Sequence, residues 1–330
     1  MPELPEVEVV RAGLRPAVAG AVVTAVSVLD QRSLKRHRGP ADDFVDRLVG
    51  GTIDAAVRRG KFLWLPFEPA TPHDEPMALV AHLGMSGQVL LRDREQPDDR
   101  LLRIRLDLDS PALGPVRLAF VDQRIFGSMA LDETVPTTDG RPAGFAGPRL
   151  LGSPPLDGET SSVRPDGEDD GAHWVGRIPS QVAHIARDPL DPAFDDREWL
   201  TRLLARRTGV KRALLDQGLQ SGVGNIYADE SLWAAKIHPD QPTEALSARR
   251  ARLLLSEVRI VLLKALAEGG TSFDAQYVNV NGQSGYFVHS LNAYGQHGRP
   301  CPRCGTPIVR EAFMNRSSHF CPRCQRLRAA

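Results

Sequence analysis

A chain of 330 residues with 42% apolar content is long enough for two domains with real cores. No apolar run approaches the ~20 residues of a membrane span, and the acidic start is unlike a basic signal peptide, so a soluble, cytoplasmic protein with no membrane partner is expected. The formal net charge of zero argues against a nucleic-acid partner only until its distribution is read: residues 299–330 hold seven Arg against one acid, and residues 157–170 six acids against one Arg.

The chain opens Met1-Pro2-Glu3-Leu4-Pro5-Glu6. A small residue behind the initiator Met permits its removal, leaving Pro2 as a secondary amine with a pKa of roughly 8. Attack of such an amine on a sugar aldehyde carbon gives an iminium that cannot lose a proton to become neutral, and so acts as an electron sink. Glu3 and Glu6 lie within reach for proton transfer. The plain alternative is a helix start with Pro and Glu in its first turn.

Val7, Val10 and Leu14 then mark a short amphipathic helix. Strands are expected over 21–29, 52–57, 62–67, 78–83, 88–91, 103–109 and 116–121, the sixth of them alternating without a break. A helix followed by antiparallel strands suggests a β-sandwich. Arg58-Arg59-Gly60-Lys61 is either a charged edge or a set of cations facing phosphates. Two loops, 82–87 with Met85 and 122–127 with Arg124 and Phe126, carry large side chains beside Gly. These suit either a core or a wedge into a base stack.

From about 134 to 185 periodicity fades, and 152–172 is an acidic stretch rich in Gly, Pro and Ser with little to bury, read as a disordered insert. Helices are expected over 195–206, 209–217, 225–236 and a fourth ending near Glu268. The Gly-rich turn 218–225 opens the third helix, whose backbone N–H groups form a natural phosphate site or a plain connection. Cys301-x2-Cys304 and Cys321-x2-Cys324 form a closed four-thiolate site for one structural zinc. The hairpin between them, 308–320, presents Arg310 and Arg316.

Together these segments closely resemble the formamidopyrimidine-DNA glycosylase / endonuclease VIII family. The resemblance rests on the Pro-Glu-Leu-Pro-Glu start, Arg59-Gly60-Lys61, the Met85 loop, Arg124 with Phe126, the run Gly224-Asn225-Ile226-Tyr227-Ala228-Asp229-Glu230, and the four Cys. It implies an α+β chain: an N-terminal β-sandwich with a flanking helix (1–133), a linker with the insert (134–185), a helix–two-turn–helix DNA-binding domain (186–290) and a zinc finger (291–330). The implied activity is base-excision repair: a glycosylase for oxidised purines that also cleaves abasic strands by β- and δ-elimination.

Residue by residue, Pro2 would be the Schiff-base nucleophile and Glu3 a proton donor. Lys61 and Arg316 would hold phosphates and donate protons, with Asn225 as a further phosphate contact. Glu6 would be a supporting carboxylate near the DNA. Met85, Arg124 and Phe126 would fill the gap left by the flipped nucleotide, with Arg124 pairing to the opposite cytosine. Ile125 departs from the family, which often has a second Arg there, and the base-recognition loop should fall near 271–286. The implied setting is a bacterial, nucleoid-associated monomer acting on damaged double-stranded DNA. The alternatives are an endonuclease VIII-like glycosylase for oxidised pyrimidines and a non-catalytic zinc-ribbon DNA binder.

Overall fold

The computed structural model describes residues 2–70, 76–147, 172–271, 280 and 287–328. The acidic insert falls almost wholly outside the described residues, as does the expected base-recognition loop apart from Thr271 and Val280. Among the described residues no helix is long and apolar enough to cross a membrane.

Helix α1 (Leu4–Val18) has Pro5 in its first turn, where a missing N–H costs nothing. Glu3 and Glu6 close a capping box at its start: the Glu6 carboxylate accepts the Glu3 amide at 2.8 Å. Val7, Val10, Leu14 and Ala17 form its buried stripe. Ten strands then build one continuous antiparallel ladder. They are β1 (Ala21–Val28), β2 (Thr52–Ile53), β3 (Val57–Arg59), β4 (Phe62–Glu68), β5 (Met77–His82), β6 (Gly87–Asp93), β7 (Leu102–Ser110), β8 (Gly114–Asp122), β9 (Ser128–Pro136) and β10 (Arg177–Pro179). The order is β10-β9-β5-β4-β2-β1-β7-β8-β6, with β3 paired to β4. The two halves of this ladder share one core, in which Leu79 and Met129 from one side join Ile104, Leu118 and Phe120 from the other and the α1 stripe. The sandwich expected from the alternation is therefore a single sheet closed over itself.

Three elements were not foreseen: α2 (Ala41–Leu48), β9 and β10. The helical half consists of α3 (Asp196–Leu204), α4 (Val210–Leu215), α5 (Asn225–Ala235) and α6 (Ala248–Ala267) around a second core, and β11 (Val309–Phe313) with β12 (Arg316–Phe320) makes the C-terminal hairpin.

Chain termini usually fray, but here the N-terminus is the joint between the halves. Leu4 is fully buried in the helical core rather than the sheet core, and its amide donates to the Gly222 carbonyl at 3.0 Å. Burying one Leu contributes ~1.5–3 kcal/mol, which offsets part of the cost of ordering the first residues; the hydrogen bonds of Leu4 and Glu3 add to it. A second tie is ionic. Arg58, with no exposed surface, bonds Glu8 of α1 at 2.8 Å and Asp188 at 2.8 Å. Burial opposes its charge, but Asp188 and Glu8 outweigh that and hold its pKa above the usual arginine value.

Candidate active site

The Glu3 carboxylate is seated on the first turn of α5. It accepts from the Gly224 amide at 2.6 Å, from Ile226 at 3.0 Å and from Tyr227 at 3.4 Å. A helix start, with unpaired N–H groups and a partial positive charge, is where a carboxylate is best held. The approach is so close that a Cβ on Gly224 would lie 2.4 Å from the Glu3 carboxyl carbon. The sequence suggested that these N–H groups serve a phosphate. That reading is corrected: the chain's own carboxylate already occupies them.

Glu6 stands one turn on. Its Oε1 accepts from the Tyr227 hydroxyl at 2.5 Å, the Thr271 amide at 2.7 Å and the Thr271 hydroxyl at 2.8 Å. It is thus a buried tie between α1, α5 and the segment that begins at Thr271. Pro2, also buried, heads this seam. Lys61 closes its other side, donating to the Val223 carbonyl at 3.0 Å.

The two charged groups of the seam are displaced toward neutrality. Burial pushes the Glu3 carboxyl up and Glu6 adds to this, while the Lys61 cation and the Ile226 and Gly224 amides pull it down without cancelling the rise. Burial likewise lowers the Lys61 ammonium, which Glu3 opposes and Arg316 reinforces. A carboxyl shifted upward beside an ammonium shifted downward is an arrangement suited to passing protons.

A cavity of about 330 Å³ opens over this seam, lined by Glu3, Met85, Asn225, Tyr294 and Arg316 among others. It brings together four of the site residues expected from sequence, Glu3, Met85, Asn225 and Arg316, drawn from the sheet domain, α5 and the hairpin. Asn225 reaches the hairpin through Ser317, its Nδ2 donating to that carbonyl at 3.1 Å. Arg316 is exposed at the start of β12. The Arg58-Arg59 pair does not join this surface. Both side chains are buried, Arg58 in the ion pairs described above, and burial lowers the Arg59 pKa to about 10. Of that basic run only Lys61 faces the site.

The two loops lie side by side, outside either core. Met85 is 42% exposed and Phe126 47%, which rules out the core reading, and Arg124 is exposed as well. Buried Asp122 locks them together: its carboxylate accepts from Ser86 Oγ at 2.5 Å and from the Arg124 and Gly127 amides at 3.1 and 2.7 Å. Gly84 has φ +63°, and a Cβ there would meet the Phe126 carbonyl carbon at 2.5 Å, so only glycine allows this contact.

Other residues that hold the site went unassigned in the sequence. Asp229 of α5 pairs with fully buried Lys211 at 2.7 Å and accepts the His319 amide at 2.9 Å. Lys211 also donates to the Ser317 carbonyl and the Ser318 hydroxyl. Glu230 accepts the amides of Asn292, Ala293 and Tyr294. Adjacent carboxylates on one helix thus dock the C-terminal ribbon on two sides. The only sequence signal was the Asp-Glu pair following Gly-Asn. In the ribbon, one Sγ from each of Cys301, Cys304, Cys321 and Cys324 lies within 4.8 Å of the others. Four convergent thiols, with no carboxylate in the cluster among the described residues, fit a tetrahedral zinc.

Comparison with known proteins bears on this geometry. Residues 1–129 match the formamidopyrimidine-DNA glycosylase N-terminal domain, 185–276 the H2TH domain of the same enzyme, and 298–327 the zinc finger found in FPG and IleRS. The chain is 58% identical over 327 residues to the formamidopyrimidine-DNA glycosylase of Leifsonia xyli subsp. xyli, covering 99% of this chain and 100% of that one. Its fold is similar to a Lactococcus lactis FPG mutant in complex with Fapy-dG-containing DNA, at 28% identity and TM-score 0.74 over 98% of this chain and 100% of that one. It is also similar to the wild-type L. lactis FPG bound to DNA containing an oxidised pyrimidine, at 28% identity and TM-score 0.72 over 98% and 100% of the two chains.

Proposed function

The chain belongs to the formamidopyrimidine-DNA glycosylase family, and from that premise we propose how its own residues act. It is a base-excision-repair DNA glycosylase for oxidised purines with the family's abasic-site lyase activity. Pro2, freed of Met1, is the nucleophile. Its nitrogen bonds to the sugar C1′ as the C1′–N bond breaks, and the damaged base leaves with that electron pair and takes up a proton. Ring opening then breaks C1′–O4′. Glu3 delivers a proton to O4′, while the proline nitrogen, having given up its N–H proton to the departing base, uses its freed lone pair to form the C1′ iminium. That cation acidifies C2′–H, whose loss expels the 3′ phosphate; a second elimination expels the 5′ phosphate. Lys61, Asn225 and Arg316 hold the flanking phosphates, and Lys61 and Arg316 also supply protons to these leaving groups.

The observation that carries this reading is the seam itself: buried Glu3, displaced toward its protonated form, beside Pro2 and beneath a cavity rimmed by Asn225 and Arg316. Met85, Arg124 and Phe126 fill the vacated space in the duplex, Arg124 facing cytosine, and Glu6 steadies the region near the flipped nucleotide. Cys301, Cys304, Cys321 and Cys324 hold one zinc as thiolates; when bound it supplies rigidity to the Arg-bearing hairpin and no open coordination position. The protein works as a cytoplasmic, nucleoid-associated monomer on damaged double-stranded DNA.

Borohydride reduces an iminium and freezes the protein onto the strand, so trapping on a duplex with 8-oxoguanine opposite cytosine tests the mechanism. The wild type is expected to give a covalent band and Pro2→Gly none, while lesion binding persists. Equal bands from both proteins would refute Pro2 as nucleophile. A second reading, excision of oxidised pyrimidines, has support in the L. lactis relative whose solved complex contains such a base; competition between the two lesions ranks them.

A further inference from the structure

Ile125 sits between Arg124 and Phe126 with φ +56°, a left-handed conformation that a β-branched residue rarely takes. Such strain persists only where the surroundings over-determine it. Two clamps do so here. From one side the Asp122 carboxylate accepts the amides of Arg124 and Gly127. From the other the Lys35 ammonium donates to the carbonyls of Ile125 at 3.0 Å and Phe126 at 2.9 Å. Lys35 directly follows the 3₁₀ turn Gln31–Leu34, which Asp30 caps and in which Ser33 and Leu34 are buried. It therefore reaches across from a fixed element, some ninety residues away in sequence, to the middle of a loop whose first residue is tied by Arg103, which donates to the Asp122 carbonyl at 2.8 Å.

We propose that Lys35 is a positioning residue for reading the base opposite the lesion. Its ammonium spends two of its three donors on consecutive loop carbonyls, rather than leaving them free for phosphate. Holding Ile125 in its strained conformation fixes the directions in which Arg124 and Phe126 leave the backbone. The Lys-to-carbonyl clamp is thus a specificity device acting through its neighbours. The inference rests on the reading of Arg124 as the group that meets the opposite base.

The test compares excision of 8-oxoguanine opposite cytosine and opposite adenine by full-length wild type, Lys35→Met, Lys35→Arg and Arg124→Ala, each at several salt concentrations. A well-placed side-chain-to-base pairing discriminates by roughly tenfold or more. Lys35→Met is expected to lower the cytosine preference ~5–10-fold, while trapping on a preformed abasic duplex stays within about twofold of wild type. Lys35→Arg, which keeps two donors, is expected to restore most of the preference. An equal loss on both duplexes, with a shallower salt dependence, would make Lys35 a phosphate contact and overturn the proposal. So would an unchanged preference in Lys35→Met alongside a reduced one in Arg124→Ala. If Arg124→Ala keeps the preference and Lys35→Met loses it, the role given to Arg124 fails, and with it the proposal that Lys35 acts through that side chain.

Discussion

The α1–α5 seam and the Met85/Phe126 loop pair, to which the proposed function assigns one DNA site, are built in opposite ways. In the seam the working side chains are themselves immobilised. Glu3 has three backbone donors, Glu6 has two backbone and two hydroxyl donors, and glycine stands where a Cβ would collide. In the loops the working side chains stand free in solvent, and only the backbone beneath them is held, by Asp122 and Lys35. Groups that move protons need fixed geometry and a shifted pKa, which burial supplies. Groups that enter a base stack must stay exposed until DNA arrives, so rigidity is placed one bond away from them.

This contrast is broken most severely at Gly224. Gly224→Ala places a methyl 2.4 Å from the Glu3 carboxyl carbon, and that carboxylate is pinned by the Gly224, Ile226 and Tyr227 amides, so it can move only by giving them up. Overpacking of this kind typically costs ~1–3 kcal/mol, and displacing a positioned catalytic group can cost ~100-fold in rate. Both losses are expected together, read as a lower midpoint of urea unfolding and slower single-turnover cleavage.

Glu3→Gln should separate the two effects. The amide keeps the shape but carries no transferable proton, so excision and strand cleavage are expected to fall ~10²–10⁴-fold. Stability should respond differently. Because burial raises the Glu3 pKa in the folded state, the native protein holds this proton more tightly than the unfolded chain. Its contribution is therefore fully present below the ordinary carboxyl pKa of 4.5 and is lost as pH rises through the higher folded pKa. Unfolding followed from pH 4 upward should show this decline in the wild type and a flatter profile in Glu3→Gln.

Much of this was legible in the sequence, for identifiable reasons. Alternation in 103–109, the Leu and Val spacing of α1, and two Cys knuckles report local geometry, and the structure follows them. Helix α2 had a usable signal that was overlooked: Phe44 and Leu48 four residues apart behind Pro40, with Asp42 and Asp43 in the first turn. What local pattern cannot supply is the partner of a charge. Arg58 and Lys61 stand three residues apart in one basic run. Asp188 draws the first into the interior, and Val223 holds the second at the site. Likewise the first turn of α5 reads as a phosphate site until Glu3, more than two hundred residues earlier, is found on it.

The loops provide the smallest structural perturbation and the most direct test that chemistry and DNA distortion reside in separate parts. Phe126 is half exposed, so Phe126→Ala should change stability by no more than about 0.5 kcal/mol. Borohydride trapping of this variant would be measured on two duplexes, one with an intact 8-oxoguanine and one with a preformed abasic site, where extrusion costs least. The expected result is a loss of roughly tenfold on the intact lesion and near-normal trapping on the abasic site, with Glu3→Gln deficient on both. Equal impairment of Phe126→Ala on the two substrates would contradict the division, because the loop would then be part of the chemistry itself.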